Sequence, residues 1–349
     1  MKHIIIKPIL VLLFIFIGFS YLYWNGVYGA LDFSNTQEKL FVIEKGESLF
    51  KIGENLENEN LIKNKILFNL YVFFTLSQGK LQAGGYYLSP SLNISQIAKI
   101  IISGTIAKEV ITIPEGWNLR DIAWYFENKG MFRAEELFEL AGLPALDASL
   151  PVDFPKPKNF SSQYDFLKDK PNNLGLEGYL FPDTYNVNWG DSLEEIIIKM
   201  LDNFDKKLTE ELMIEIKRQG KRIFEIINMA SLLEKEVKTI EDKKIVSGIL
   251  WKRLESGMPL QVDATLSYVT GKRTTRISIE ETQIDSPYNT YKYKGLPLGP
   301  ICNPGIESIR AAVYPEDSGY WFYLSTPKGE TIFSRNLEEH NIAKAKYLK

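Results

Sequence analysis

Phe41-Val42-Ile43-Glu44-Lys45-Gly46-Glu47-Ser48-Leu49 returns seventy residues later as Ile111-Thr112-Ile113-Pro114-Glu115-Gly116-Trp117-Asn118-Leu119. Each copy alternates apolar and polar residues, turns at a glycine, and reaches a helix-capping residue, Ser48 or Asn118, before an amphipathic stretch. The correspondence continues through Ile52/Ile122, Leu56/Phe126 and Asn58/Asn128. A second pair of segments follows the first. Gly85-Tyr86-Tyr87-Leu88-Ser89-Pro90 precedes a helix at about 94–103, and Gly178-Tyr179-Leu180-Phe181-Pro182 precedes one at about 192–205. The pattern predicts two strand-helix-helix-strand units, and hence an α+β chain.

Such βααβ units resemble the LysM glycan-binding module; two structural repeats without a ligand are the other reading. The second unit carries an insertion at 145–173, rich in Pro, Asn, Asp, Ser and Lys, expected to be a mobile loop. Beyond it the chain turns helical, with helices expected at 192–205, 207–219, 222–237 and 240–256, stopped by Gly257-Met258-Pro259. Pro/Gly-rich loops at 283–305 follow, then two short strands, Tyr320–Ser325 and Thr331–Ser334, around Pro327-Lys328-Gly329, and a final helix at 336–348.

The N-terminus speaks to compartment. Pro8 to Trp24 holds no charge, and Lys2 and Lys7 precede it. With Ile4–Ile6 the stretch is long enough to span a bilayer, and the positive charges place the N-terminus in the cytoplasm. Tyr21, Tyr23 and Trp24 would form the outer aromatic belt. A cleaved signal peptide is the rival, but Val27-Tyr28-Gly29 is a poor cleavage site and the apolar core is long. The expected organisation is a short tail at 1–7 and a single-pass anchor at 8–28 in the cytoplasmic (inner) membrane. A LysM-like module at 38–106, a second unit at 107–205 and a catalytic domain at 206–349 then lie outside.

Among 349 residues, 45% are hydrophobic and 24% charged, with a net charge of −3. Lys2 and Lys7 are the only charges before Ala30, so the remainder carries about −5, with no basic domain to bind nucleic acid. Cys302 is the single cysteine, so no disulfide forms within the chain. Apart from His3 in the N-terminal tail, only His340 remains. A histidine-rich metal site is excluded, and His340 itself reads as a solvated or capping residue near the last helix.

Within 223–237, Ile223, Ile227, Ala230, Glu234 and Val237 share one helix face at about 100° per residue, while Glu236 points roughly 160° away. A carboxylate on an apolar stripe is costly when ionised, which prepares a general acid. The other reading is a partly solvated Glu234 paired with Lys238. Downstream, Gln261-Val262-Asp263 opens a short helix that Asp263 could cap, and Ser286-Pro287-Tyr288-Asn289-Thr290-Tyr291 carries Tyr and Asn suited to sugar rings and acetamido groups.

Six strings in order resemble the YceG-like endolytic murein transglycosylases. They are Leu-Glu-Gly-Tyr-Leu-Phe-Pro-Asp-Thr-Tyr (176–185), Ala-Ser-Leu-Leu-Glu-Lys-Glu (230–236), Leu-Gln-Val-Asp-Ala-Thr (260–265), Ser-Pro-Tyr-Asn-Thr-Tyr (286–291), Gly-Leu-Pro-Leu-Gly-Pro-Ile-Cys-Asn-Pro-Gly (295–305) and Asn-Leu-Glu-Glu-His-Asn (336–341). With the repeats, the likeness covers about 40–349. It departs mildly at Val237, where Thr is common, and at Leu298, where a second Pro is frequent. The resemblance implies that Glu234 is the single acid/base. The substrate would be peptidoglycan glycan, cut internally between N-acetylmuramic acid and N-acetylglucosamine to leave a 1,6-anhydro end. It implies no cofactor and no metal. Glu177, Gln261, Asp263, Tyr288, Asn289 and Asn303 become candidate substrate-binding residues, and a peptidoglycan synthase a possible partner. A muramidase-type hydrolase and a noncatalytic glycan-binding scaffold are the alternatives.

Overall fold

A glycine turn followed by a polar cap starts a helix in both repeats, as the sequence predicts. The computed structural model describes residues 3–104, 107–145, 156–272 and 277–348, with side chains from residue 11. Gly46 and Gly116 take positive φ, 86° and 78°, a conformation that costs glycine little. Ser48 Oγ then accepts the Lys51 amide, and Asn118 Oδ1 accepts the Arg120 and Asp121 amides while Asp121 returns a bond to the Asn118 amide.

The first unit of the chain comprises Met1–Ile111 with Asn186–Asp191. It begins with α1 (His3–Tyr28), the one helix among the described residues long and apolar enough to cross a membrane; Val11–Tyr28 has a mean hydropathy of 1.5. Next come β1 (Lys39–Ile43), α2 (Leu49–Asn58), α3 (Lys65–Phe74), β2 (Gly84–Leu88) and α4 (Ile94–Ser103). β1 and β2 pair antiparallel, with Lys39 opposite Leu88 and Ile43 opposite Gly84. Alternation in β1 turns Phe41 and Ile43 inward. They meet Ile52, Leu56, Phe68, Val72, Tyr86, Ile97 and Ile101 in a core that also takes in Val27, from the last turn of α1.

The second copy repeats the order: β3 (Lys108–Thr112), α5 (Leu119–Asn128), α6 (Ala134–Ala141) and β4 (Thr184–Asn188), with β3 paired to β4. The returning strand is therefore Thr184–Asn188. Gly178–Pro182 is irregular, because Gly178 takes φ 89° and its neighbours bury Tyr179, Leu180 and Phe181.

The second unit, Thr112–Tyr185 with Ser192–Lys349, is mainly helical. It contains α5 and α6, then α7 (Leu193–Lys207), α8 (Glu210–Arg218), α9 (Ile223–Glu236), α10 (Ile240–Glu255), α11 (Asp263–Thr270) and α12 (Ile306–Val313). A hairpin of β5 (Phe322–Ser325) and β6 (Thr331–Ser334) and a last helix, α13 (Leu337–Tyr347), complete it. α9 is the central helix: Ile226, Ile227, Asn228, Met229, Ala230, Ser231, Leu232 and Leu233 are all fully buried. Eight successive buried residues exceed any single stripe, so α9 is packed on all sides over this stretch.

Of the insertion expected at 145–173, residues 146–155 lie outside the described residues. The part from 156 is packed rather than a free loop. Phe160, Phe166 and Leu167 are buried, and Asp169 accepts the Ile223 and Phe224 amides at 2.6 and 3.2 Å, capping the N-terminus of α9. Apolar residues between the prolines supply the burial that composition concealed.

Candidate active site

α9 carries two glutamates two residues apart, and about 200° of helix rotation sends them to opposite sides. Glu234 faces inward. Both its carboxylate oxygens lie 3.4 Å from Lys243 Nζ of α10, and Oε2 accepts the Ser308 hydroxyl at 2.6 Å and the Gly305 amide at 3.1 Å. The side chains of Lys243 and Glu234 are only 3% and 10% exposed. This buried ion pair joins α9, α10 and α12. The cation facing Glu234 is thus Lys243, not the Lys238 expected from helix spacing, and polar groups surround the carboxylate where an apolar stripe was expected. Val237, placed on that stripe by periodicity, has left the helix with extended backbone.

Glu236, the last residue of α9, faces a cleft of about 1940 Å³ within the second unit. One wall is the Glu115–Asn118 turn with Arg120, Asp121 and Trp124 of α5; another is Gln261, Asp263, Ala264 and Ser267 around α11. The β5–β6 hairpin contributes Phe322 to Gly329, and α13 contributes His340 and Lys344. Among the described residues, Glu234 does not line this cleft.

The Tyr323 hydroxyl donates to Glu236 Oε2 at 3.0 Å. The Ala264 amide also bonds the carboxyl, with the Arg253 guanidinium and the Asp263 carboxylate near enough to act on its charge. Desolvation dominates and pushes the Glu236 carboxyl up to about 7, with Asp263 adding to the rise and Tyr323, Ala264 and Arg253 opposing it. The negative end of the α9 dipole acts in the same direction as burial. Arg253 is itself held, donating to the Trp321 and Leu260 carbonyls at 2.9 and 2.8 Å. A carboxyl group poised near neutrality beside donors that favour its anion can give a proton and then persist as a base.

Glu115, on the facing turn, is also raised, first by burial and then by the charge of Glu234. Lys235, between the two glutamates, donates to the Gly116 carbonyl at 3.2 Å and fastens that turn to α9.

The six loop candidates divide. Gln261 and Asp263 line the cleft. Gln261 holds φ 54°, unusual for a residue with a side chain, and Asp263 accepts the Tyr291 hydroxyl. Asp263 does not cap its helix; Val262 occupies the cap position. The other four turn inward, where buried polar atoms need protein partners. Glu177 accepts the Leu119 amide at 3.2 Å and the Tyr268 hydroxyl at 2.9 Å, and burial pushes its carboxyl up to about 8. Asn303 accepts the Leu180 amide and donates to the Trp117 carbonyl, at 2.9 and 3.0 Å. Asn289 donates to the carbonyls of Thr282 and Ile284 and accepts the Tyr291 amide. The Tyr288 ring packs on Tyr268 at 5.2 Å between centroids. These residues brace the cleft walls instead of presenting amides to a sugar.

His340 is buried and stacked 5.2 Å from Phe322, not solvated, and Asn336 caps its helix. Glu236, Tyr323 and Arg253 line the cleft without having been singled out as site candidates by the sequence. The available signal was the position of Glu236 in the last helical turn, where a carboxylate is disfavoured.

The YceG-like family model matches residues 41–346. A Bacillus subtilis (strain 168) protein named endolytic murein transglycosylase is 32% identical over 333 residues, 95% of this chain and 91% of that relative. A protein of the same name from Streptococcus pneumoniae serotype 2 (strain D39 / NCTC 7466) is 31% identical over 327 residues, 86% of this chain but 56% of the longer relative. A 2.6 Å crystal structure of a yceG-like protein from Listeria monocytogenes superposes with a TM-score of 0.58 at 32% identity, covering 88% of this chain and 99% of that one.

Proposed function

The chain belongs to the YceG-like family, and on that premise we propose that it is an endolytic murein lytic transglycosylase whose acid/base is Glu236, in place of the Glu234 that the family resemblance implies. One observation carries the assignment: Glu236 lines the cleft with a carboxyl near 7, while Glu234 is spent on Lys243, Ser308 and Gly305.

The protonated Glu236 donates to the oxygen bridging N-acetylmuramic acid and N-acetylglucosamine as the bond to muramic C1 breaks. The resulting carboxylate is stabilised by the Tyr323 hydroxyl, the Ala264 amide and Arg253. It then removes the proton of the muramic C6 hydroxyl, whose oxygen closes on C1. The proton returns to Glu236, no water enters, and a 1,6-anhydro end remains. One carboxyl suffices, where a hydrolase generally needs two. Trp117 and Trp124 offer ring faces for sugars along the cleft.

The wider setting belongs to the same proposal. α1 anchors the chain in the cytoplasmic membrane with the N-terminus inside and the cleft outside. The first βααβ unit serves as a LysM-like glycan-holding module. The tethered enzyme trims or terminates nascent strands beside a synthase.

Mass analysis of glycan digested by wild type, Glu236→Gln and Glu234→Gln tests the assignment. Wild type should leave ends one water lighter than reducing ends, and Glu236→Gln should fold and cut nothing. Reducing ends from wild type would instead support the muramidase reading, which the nearness of Asp263 to Glu236 favours as the second carboxylate. Full activity in Glu236→Gln would refute the residue assignment.

A further inference from the structure

We infer that the first βααβ unit is seated on the bilayer itself, with the C-terminal end of α3 embedded in the lipid interface beside α1. The inference rests on the proposed membrane-anchor role of α1, and it concerns a surface of the unit outside that helix.

The observation is a set of exposed apolar side chains on α3 and just beyond it, clustered at its C-terminal end. Ile66, Phe73 and Phe74 of α3 and Leu76 just after it are 60%, 56%, 66% and 80% exposed. Ile66 and Phe73 lie seven residues apart and share a helix face, as do Leu67 and Phe74. Leu76 also holds φ 51°, a left-handed conformation that L-residues avoid. That conformation ends α3, with the Leu76 and Ser77 amides donating to the Phe73 and Val72 carbonyls, and it leaves the Leu76 side chain exposed beside Phe73 and Phe74.

The contacts of α1 say what lies beside this surface. A Cβ on Gly26 would fall 2.3 Å from Leu67 Cδ1, so the Leu67 side chain packs directly on the α1 backbone at Gly26. The Tyr23 and Phe74 rings meet edge to face at 6.4 Å, and Phe73 meets Phe74 at 5.9 Å. From Gly26 to Tyr23, α1 retreats by ~4.5 Å toward its N-terminus, while from Leu67 to Phe74 α3 advances by ~10.5 Å toward its C-terminus. α3 therefore runs back down α1, toward the membrane. A hydrocarbon core takes roughly 20 helical residues, so a span ending at Trp24 begins near Ile5 and puts Tyr23 in the outer interface. Phe74, against Tyr23, lies at the same depth, and Phe73 and Leu76 adjoin it. Tyr23 is favoured at this level as an amphipathic ring, and burying Phe73, Phe74 and Leu76 there removes their apolar surface from water. The occupant is lipid because the exposed patch continues the surface of α1 that the bilayer already covers.

The test uses the full chain reconstituted at one copy per phosphatidylethanolamine/phosphatidylglycerol nanodisc. Ile15→Cys, Phe74→Cys and Leu76→Cys, each in a Cys302→Ser background, carry an environment-sensitive fluorophore. Shallow and deep doxyl-labelled lipids and aqueous iodide serve as quenchers. The label at 15 should be quenched by deep doxyl lipid. Those at 74 and 76 should be blue-shifted and quenched by shallow doxyl lipid more than by iodide. Lipid quenching at 15 with iodide quenching alone at 74 and 76 overturns the inference and leaves the anchor intact. Absence of lipid quenching at 15 removes the anchor reading, and the inference with it. Shielding of 74 and 76 from both quenchers in single-copy discs also overturns it, since the patch would then be covered by protein.

Discussion

Replacing Glu234 by Gln tests the proposal that Glu234 is structural and Glu236 the acid/base. The change leaves the Lys243 ammonium, 3% exposed, without the carboxylate 3.4 Å away, while a glutamine oxygen still accepts from Ser308 and Gly305. Removing one partner of a buried ion pair typically costs about 3–5 kcal/mol. Glu115 supplies partial compensation, because its carboxyl also acts on Lys243, so the expected loss is at the lower end, about 3 kcal/mol. For a unit of this size each kcal/mol moves Tm by roughly 2–4 °C, giving a fall of about 6–12 °C. Differential scanning calorimetry reads this directly. The double variant Glu234→Gln/Lys243→Met removes the orphaned charge and should recover most of the fall. At a temperature well below the lowered Tm, Glu234→Gln should retain much of the wild-type cleavage rate per folded molecule. An unchanged Tm with abolished cleavage would falsify the reasoning and return the acid/base role to Glu234.

The remaining predictions concern protons and sugars. Cleavage should need protonated Glu236, so kcat/KM should fall about tenfold per pH unit above about 7; Tyr323→Phe removes a bond that favours the anion, moving this limb to higher pH while lowering the maximal rate. A limb that does not move in Tyr323→Phe contradicts the contact. Glu177 titrates at about 8 when folded and near the ordinary carboxylate range when unfolded, so the folded state binds the extra proton between these values. Its contribution to stability is therefore lost as pH rises from about 4.5 to 8, and Glu177→Gln should flatten this part of a Tm-versus-pH curve; an identical slope in the variant would contradict it. Trp124→Ala, at an exposed position on the cleft wall, should raise KM for glycan strands roughly 2- to 10-fold with little change in kcat, as expected for losing one stacking face. A fall confined to kcat would speak against a binding role.

Local signals decided much of the fold in advance. The glycine turns at 46 and 116, the caps at Ser48 and Asn118, and the helices at 223–236 and 240–255 were all legible, because each depends on a few adjacent residues. The hairpin at 322–334 likewise announced itself by alternation around Pro327-Lys328-Gly329. The site was legible only to the nearest helix. Periodicity identifies a buried face but not what is buried against it. Glu234 met Lys243, nine residues on, and Ser308, seventy-four residues on, whereas Glu236 met Tyr323 and formed the cleft. Asn289 and Asn303 illustrate the same limit. Their amides suit a sugar in principle, and only tertiary packing reveals that backbone carbonyls already occupy them.

The two-residue interval between Glu234 and Glu236 acts as a phase marker for α9. One acidic group is clamped into the interior at a known angle, and the second is thereby aimed without any adjustable joint between them. Inserting or deleting one residue at Lys235 would turn the two carboxyls by about 100° relative to each other, so that the clamp and the aim could not both be kept. The spacing at Lys235 is therefore fixed by geometry, independently of the bond its side chain makes to the Gly116 carbonyl.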